Sequence, residues 1–174
     1  MVGILTNVAN QTAVQTSSNQ LAVNAAFLQE IKDSNPELWK TWYQLRQVCD
    51  STDEPRQVAI KMVKLLDQLR DVIAMHFALE ECYGYVEVPI DSKNGSFVCK
   101  SRDGVTDVND TKTQHCALYL EASDLAEVAE EYQYRGVAAA QIQELVQRFR
   151  QFDEHWQAHE RCENELIECF LEAI

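Results

Sequence analysis

Two long stretches of the chain place apolar residues at steps of three and four, the spacing of an amphipathic helix. The first stripe runs into polar residues at its end: Met62, Leu66, Leu69, Ile73, His76 and Glu80. The second carries polar residues within it: Ile142, Leu145, Phe149, Phe152, Trp156, His159, Glu163, Leu166 and Phe170. The stripes therefore predict two long helices, and each directs a histidine and a glutamate, four residues apart, toward the core.

The rest of the pattern predicts a mainly helical chain. A short helical piece is expected at 25–32, followed by long helices at 36–50, 55–83, 113–134 and 137–174. Ser34 or Asn35 can cap the first long helix, and Pro36 suits its first position. Four long helices with mostly short connections predict an all-α, antiparallel up-down-up-down four-helix bundle.

The connection between the second and third long helices has a different character. Val86, Val88 and Ile90 alternate with polar residues, and Asn94-Gly95 is a typical hairpin turn. We therefore expect a β-hairpin insertion within 85–112. Residues 1–20, rich in Ser, Thr, Asn and Gln, are expected to form a flexible segment that precedes a bundle domain at 21–174.

Composition and charge restrict the possible partners. The chain has 174 residues, 46% of them hydrophobic, which is enough to bury a substantial core. Its 15 basic and 28 acidic residues give a net charge of −13. This charge argues against a nucleic-acid partner and against an anionic membrane surface. The chain shows neither a membrane span nor a secretion signal, so we expect a cytoplasmic location.

The six cysteines show no C-x-x-C spacing. Because most fall within helical patterns, we interpret them as reduced core residues, with one redox-active pair as the alternative. Recognisable nucleophile, phosphate-loop and nucleotide motifs are also lacking, so the sequence gives little support to catalysis.

The two histidine–glutamate pairs are the candidate chemistry. Buried ionisable groups are costly unless they are paired or bind a metal ion. Inward histidines and carboxylates from facing helices are how metal sites are built in helical bundles. The pairs His76–Glu80 and His159–Glu163 therefore predict either a metal site or two hydrogen-bonded pairs.

The same residues carry a resemblance to a known family. The run His76-Phe77-Ala78-Leu79-Glu80-Glu81, followed by Tyr83-Gly84-Tyr85, resembles the signature of hemerythrins and hemerythrin-like HHE cation-binding domains. The run His159-Glu160-Arg161-Cys162-Glu163 resembles the last-helix motif of that family. The resemblance implies a four-helix bundle with two non-haem irons, which binds dioxygen or serves in sensing or iron handling.

Two positions depart from the family pattern. Trp42 and Ala122 stand where the family usually carries histidine ligands, and we expect the Trp42 indole to occupy the space of a second metal. A single Fe, Mn or Zn ion is therefore expected. Its predicted ligands, including two candidate substitutes, are His76, Glu80, His159, Glu163, Glu121 and His155. His115 is a third candidate, which we interpret as a loop or cap residue.

The alternative is a bundle that has lost its metals. The two histidine–glutamate pairs would then be hydrogen-bonded remnants. Such a protein would act through its surface, as a structural domain, a partner-binding domain or a homo-oligomer.

Overall fold

The computed structural model describes residues 19–89, 98–101 and 104–172. Within them the chain is mostly helical, with two small antiparallel pairs of strands. The helices are α1 (Ala25–Asp33), α2 (Pro36–Cys49), α3 (Pro55–Leu79), α4 (Val108–Arg135) and α5 (Ala139–Glu172). The strands are β1 (Asn19–Val23), β2 (Tyr85–Pro89), β3 (Val98–Ser101) and β4 (Gly104–Asp107). None of these helices combines the length and apolar character that a membrane span requires.

The helix boundaries follow the capping residues. Asn35 accepts a hydrogen bond from the Leu38 N–H, and Pro36 occupies the first turn of α2, as the sequence predicted. At α4 the N-cap is Asp107, whose carboxylate accepts from the N–H groups of Asn109 and Asp110. This cap starts α4 five residues before the predicted position, so the loop expected to reach residue 112 ends earlier.

Helices α2 to α5 share one apolar core. Its largest fully buried side chains include Trp42, Trp156, Phe149 and Phe152. A second cluster covers the end of the molecule where α1, β2 and the last turns of α5 meet. Its members include Leu28, Tyr85 and Leu166, all buried. The candidate site lies in the layer of α3, α4 and α5 that joins the two clusters.

An antiparallel pair of strands lies between α3 and α4, within the range predicted for a β-hairpin, but it is formed by different strands than expected. We expected β2 and the segment around Val98 to form a hairpin through Asn94-Gly95, a turn that lies outside the described residues. Instead β2 pairs with β1, and β3 forms its own hairpin with β4. The partner of β2 lies more than sixty residues earlier in the chain, and local turn signals carry no information about such a pairing. Asn19 and Gln20, at the end of the segment predicted to be flexible, belong to β1.

The interpretation of the cysteines as reduced core residues is wrong for most of them. Cys99 and Cys169 form a disulfide that joins β3 to the end of α5. Cys82 and Cys116 are exposed, and Cys49 and Cys162 are partly buried. Burial, the main cause, raises the pKa of the Cys49 thiol to about 12, so this thiol stays protonated at neutral pH.

A five-residue π-helical turn, Glu80–Gly84, continues α3 to the start of β2. Glycine fits closely at its last position, since a Cβ at position 84 would lie 2.1 Å from the Leu28 Cδ2 atom and would force the buried Leu28 side chain to shift. The Gly84 carbonyl also accepts a hydrogen bond from the Asn24 N–H at 2.7 Å. This close approach brings α1 against the end of α3.

We therefore expect Gly84→Ala to destabilise the protein by roughly 1–3 kcal/mol, the usual cost of overpacking. Chemical denaturation would measure this loss. Adding Leu28→Ala should relieve the clash, so that the double variant loses less stability than the two single losses combined. If the double variant lost as much stability as the two single variants combined, the predicted clash between position 84 and Leu28 would be contradicted.

Candidate metal centre

Four buried side chains from three helical elements meet in this layer. Glu80 comes from the π-helical turn after α3, His115 from α4, and His159 and Glu163 from α5. Each offers one nitrogen or oxygen atom, and these four atoms all lie within 4.8 Å of one another. All four residues are at most 2% exposed. The cluster can therefore bind a metal ion.

The atoms that converge are close but poorly paired. Glu80 Oε2 and Glu163 Oε1 each lie 3.6 Å from His115 Nε2, and Glu163 Oε1 is also 3.6 Å from His159 Nε2. Across the described residues, six buried atoms here have no hydrogen-bond partner: Nε2 of His76, His115 and His159, both carboxylate oxygens of Glu80, and Glu163 Oε2. Each unpaired buried polar atom costs about 1–3 kcal/mol. A cation bound among Glu80, His115, His159 and Glu163 would satisfy the Nε2 atoms of His115 and His159 and an oxygen of Glu80 together.

The outer ring nitrogens determine which histidines can bind a cation. The His115 Nδ1 atom lies 3.1 Å from Glu81 Oε1, and the His159 Nδ1 atom lies 3.1 Å from Gln114 Oε1. Both oxygens accept hydrogen bonds, so the tautomer that fits these contacts carries its proton on Nδ1 and leaves a lone pair on Nε2. Carboxylate and amide oxygens commonly orient metal-binding histidines in this way.

His76 is arranged differently. Because the side-chain oxygen of Asn35 accepts from the Leu38 N–H, its amide nitrogen faces His76 Nδ1 at 3.4 Å. Nδ1 must then accept, which places the proton of the neutral ring on Nε2. That Nε2 lies 3.0 Å from Glu80 Oε1, but the contact does not have the geometry of a hydrogen bond. A protonated Nε2 has no lone pair for a metal ion.

Burial and charge set the protonation of the centre. Burial lowers the pKa of His159 to about 4 and also lowers that of His76, so both rings are neutral at pH 7. Burial, followed by the charge of Glu163, raises the pKa of Glu80. Burial alone would raise the pKa of Glu163, but the contacts with His115, His159 and Lys32 hold it below its usual value.

Glu163 has further partners around it. The Tyr85 hydroxyl donates a hydrogen bond to Glu163 Oε1 at 2.8 Å. Burial, chiefly, raises the pKa of Tyr85, so the phenol remains a donor. On the other side, the ammonium of Lys32 lies 3.3 Å from Glu163 Oε2. Glu163 is therefore held from both sides, with one oxygen directed into the cluster.

The predicted site residues separate into two groups. Glu80, His159 and Glu163 come together as expected, with His76 beside them. Glu121 and His155 lie elsewhere, where they form an exposed pair with 3.0 Å between His155 Nδ1 and Glu121 Oε1. His115, interpreted as a loop or cap residue, is instead buried in the second turn of α4, and its ring stacks on Phe77 at 4.1 Å.

Trp42 points inward, as expected, and is 2% exposed. Its ring contacts Phe149, Phe152 and Trp156, and its Nε1–H donates to Asp153. Trp156, in turn, contacts His76 and His159. The Trp42 indole is thus one layer of aromatic rings away from the cluster.

A surface depression of about 310 Å³ between α3 and α4 leads toward the cluster. The buried residues His115 and Phe77 line it together with the more exposed Glu81, Cys116 and Tyr119. A metal centre needs an entry path, and this depression reaches one of the candidate ligands directly.

Comparison of the chain with models of known protein families, with curated proteins and with solved structures finds no match. The chemistry of the cluster is therefore inferred from its geometry.

Proposed function

We propose that this protein binds one non-haem transition-metal ion, Fe, Mn or Zn, through Glu80, His115, His159 and Glu163. The observation that carries the proposal is the set of buried nitrogen and oxygen atoms that face one another without hydrogen-bond partners. A folded protein tolerates such atoms when a ligand satisfies them. A bundle without a metal would retain this unfavourable cluster for no gain, which counts against the metal-free alternative.

The ligand set supports this choice of metals. Two imidazole nitrogens and two carboxylate oxygens suit Fe(II), Mn(II) and Zn(II), whereas Ca²⁺ and Mg²⁺ prefer oxygen alone. The roles differ from those expected from the sequence, since His115 replaces His76 as a ligand. His76 acts beside the centre, where its protonated Nε2 faces Glu80. If iron is bound, the centre supports dioxygen or redox chemistry, sensing or metal handling.

We further propose that α2, α3, α4 and α5 form an up-down-up-down bundle of the hemerythrin-like kind, with α1 packed against α5. Contacts between side chains support opposite directions for neighbouring helices. Between α2 and α3, Glu37 contacts Gln68 and Asn35 contacts His76. Between α2 and α5, Asp50 contacts Arg150 and Trp42 contacts Asp153. Between α4 and α5, Asp124 contacts Arg148 and Gln114 contacts His159. In this arrangement α3 and α5 bring their histidine–glutamate pairs to the same level.

Metal reconstitution tests the proposal. Protein stripped with a chelator would be incubated separately with Fe(II) under anaerobic conditions, Mn(II) and Zn(II), then desalted and measured by elemental analysis. We expect about one equivalent of at least one metal, because the cluster offers a single set of ligands. Less than about a tenth of an equivalent of every metal would overturn the proposal and favour the metal-free bundle.

A further inference from the structure

Lys32 is a buried cation beside the candidate metal centre. It lies near the end of α1 and is only 7% exposed, although lysine is seldom buried unless it is paired. Its ammonium lies 2.9 Å from Glu160 Oε2 and 3.3 Å from Glu163 Oε2, and it donates to Asn164 Oδ1 at 3.0 Å. Three oxygen atoms therefore surround the ammonium in the way that they would surround a metal cation.

Glu163 joins this ammonium to the metal centre. Its Oε1 faces His115 and His159, while its Oε2 faces Lys32. Each oxygen of an ionised carboxylate can accept from a separate cationic partner, so Glu163 can contact a positive charge on each side. Here one side is the candidate metal position, and the other already holds the ammonium.

The charges of the centre agree with this division. Once a bound metal displaces the proton that the raised pKa of Glu80 retains, the carboxylates of Glu80, Glu160 and Glu163 bring three negative charges, and Lys32 supplies one positive charge. The remainder is two negative charges, which one divalent ion would neutralise. A second divalent ion would leave the centre with an excess of positive charge. Such an excess is unfavourable because uncompensated charge is costly in a buried site.

We propose that Lys32 serves as a built-in second cation, which holds Glu163 in place and limits the centre to one divalent metal ion. This inference rests on the proposed metal binding. It assigns the exclusion of a second metal to Lys32 of α1 rather than to Trp42 of α2, because Lys32 contacts the cluster directly and Trp42 does not.

Counting bound metal in lysine variants tests the inference. Lys32→Ala removes the ammonium and frees the oxygen-lined position, so the variant should bind two equivalents of Mn(II) at saturation where the wild type binds one. Two adjacent Mn(II) ions should also give the electron paramagnetic resonance spectrum of an exchange-coupled pair. Lys32→Arg, which keeps the charge, and Lys61→Met, which removes an exposed lysine, should both bind one equivalent.

One equivalent in Lys32→Ala, with the spectrum of an isolated ion, would overturn the inference while leaving the proposed function intact. No metal in the wild type would instead overturn the proposed function.

If Lys32→Ala does not fold, Lys32→Met keeps the volume and removes only the charge. It should then bind the single ion at least about tenfold more tightly, since a like charge has been removed nearby. Unchanged or weaker binding in that variant would overturn the inference.

Discussion

Replacing His159 with glutamine is expected to weaken metal binding by more than about 100-fold, because it removes a nitrogen ligand rather than a group that supports one. The His159 Nε2 atom is buried and lies 3.6 Å from Glu163 Oε1. Its Nδ1 is occupied by Gln114, which fixes the ring so that Nε2 points into the cluster. Glutamine retains much of the size of histidine but offers no imidazole lone pair.

His155 provides a matched control for this variant. It lies one turn earlier on α5, and its side chain is 59% exposed and paired with Glu121. His155→Gln should therefore leave the metal dissociation constant unchanged. Competition with a chromophoric chelator would measure both constants, and circular dichroism would confirm that both variants fold. Equal affinities in the two variants would show that the ion is bound elsewhere.

Removal of the metal is expected to lower the midpoint of thermal unfolding by on the order of 10 °C. A ligand that binds only the folded state and is present at 100 to 1,000 times its dissociation constant adds about 3–4 kcal/mol of stability. In a chain of this length, each kcal/mol shifts the midpoint by roughly 2–4 °C. The metal-free centre also keeps its unpaired buried atoms, which adds to the loss.

Scanning calorimetry with and without chelator would measure this shift. The His159→Gln variant serves as the control, because a chelator should change its midpoint little. An unchanged midpoint in the wild-type protein would argue against a bound metal. An equal shift in the variant would show that the chelator acts on something other than this centre.

The apolar stripes predicted most of the helical core correctly. Met62, Leu66, Leu69 and Ile73 are fully buried, as are Leu145 and Leu166 on the second stripe. His76, Glu80, His159 and Glu163 share that burial, so the histidines and glutamates of both stripes do point inward. Helical periodicity predicts this well, because it depends only on residues within a few turns of one another.

His115 was misinterpreted although the sequence contains a signal for it. Val108, Thr111, His115, Leu118 and Ala122 follow steps of three and four, and all are buried on α4. Because many polar residues lie between them, this periodicity is less distinct than that of the two main stripes. The N-cap of α4 at Asp107 was not predicted either. An earlier helix start would have placed His115 on the inward face.

Lys32 carried no comparable signal. A lysine near the end of a short helix is ordinarily solvated, and its last-turn position is favourable for a positive charge. Its burial depends on Glu160, Glu163 and Asn164, which lie about 130 residues later in the chain. The pairing of β1 with β2 was missed for the same reason, since it also joins distant segments.

Anomalous X-ray diffraction from crystals of the metal-loaded protein, recorded at the absorption edge of the bound metal, would locate the ion relative to its proposed ligands. We expect one anomalous peak, within about 2.0–2.2 Å of ligand atoms from Glu80, His115, His159 and Glu163. His76 and Lys32 should lie outside that coordination shell. A crystal with no peak at the cluster, or with its peak at the exposed His155–Glu121 pair, would contradict the account.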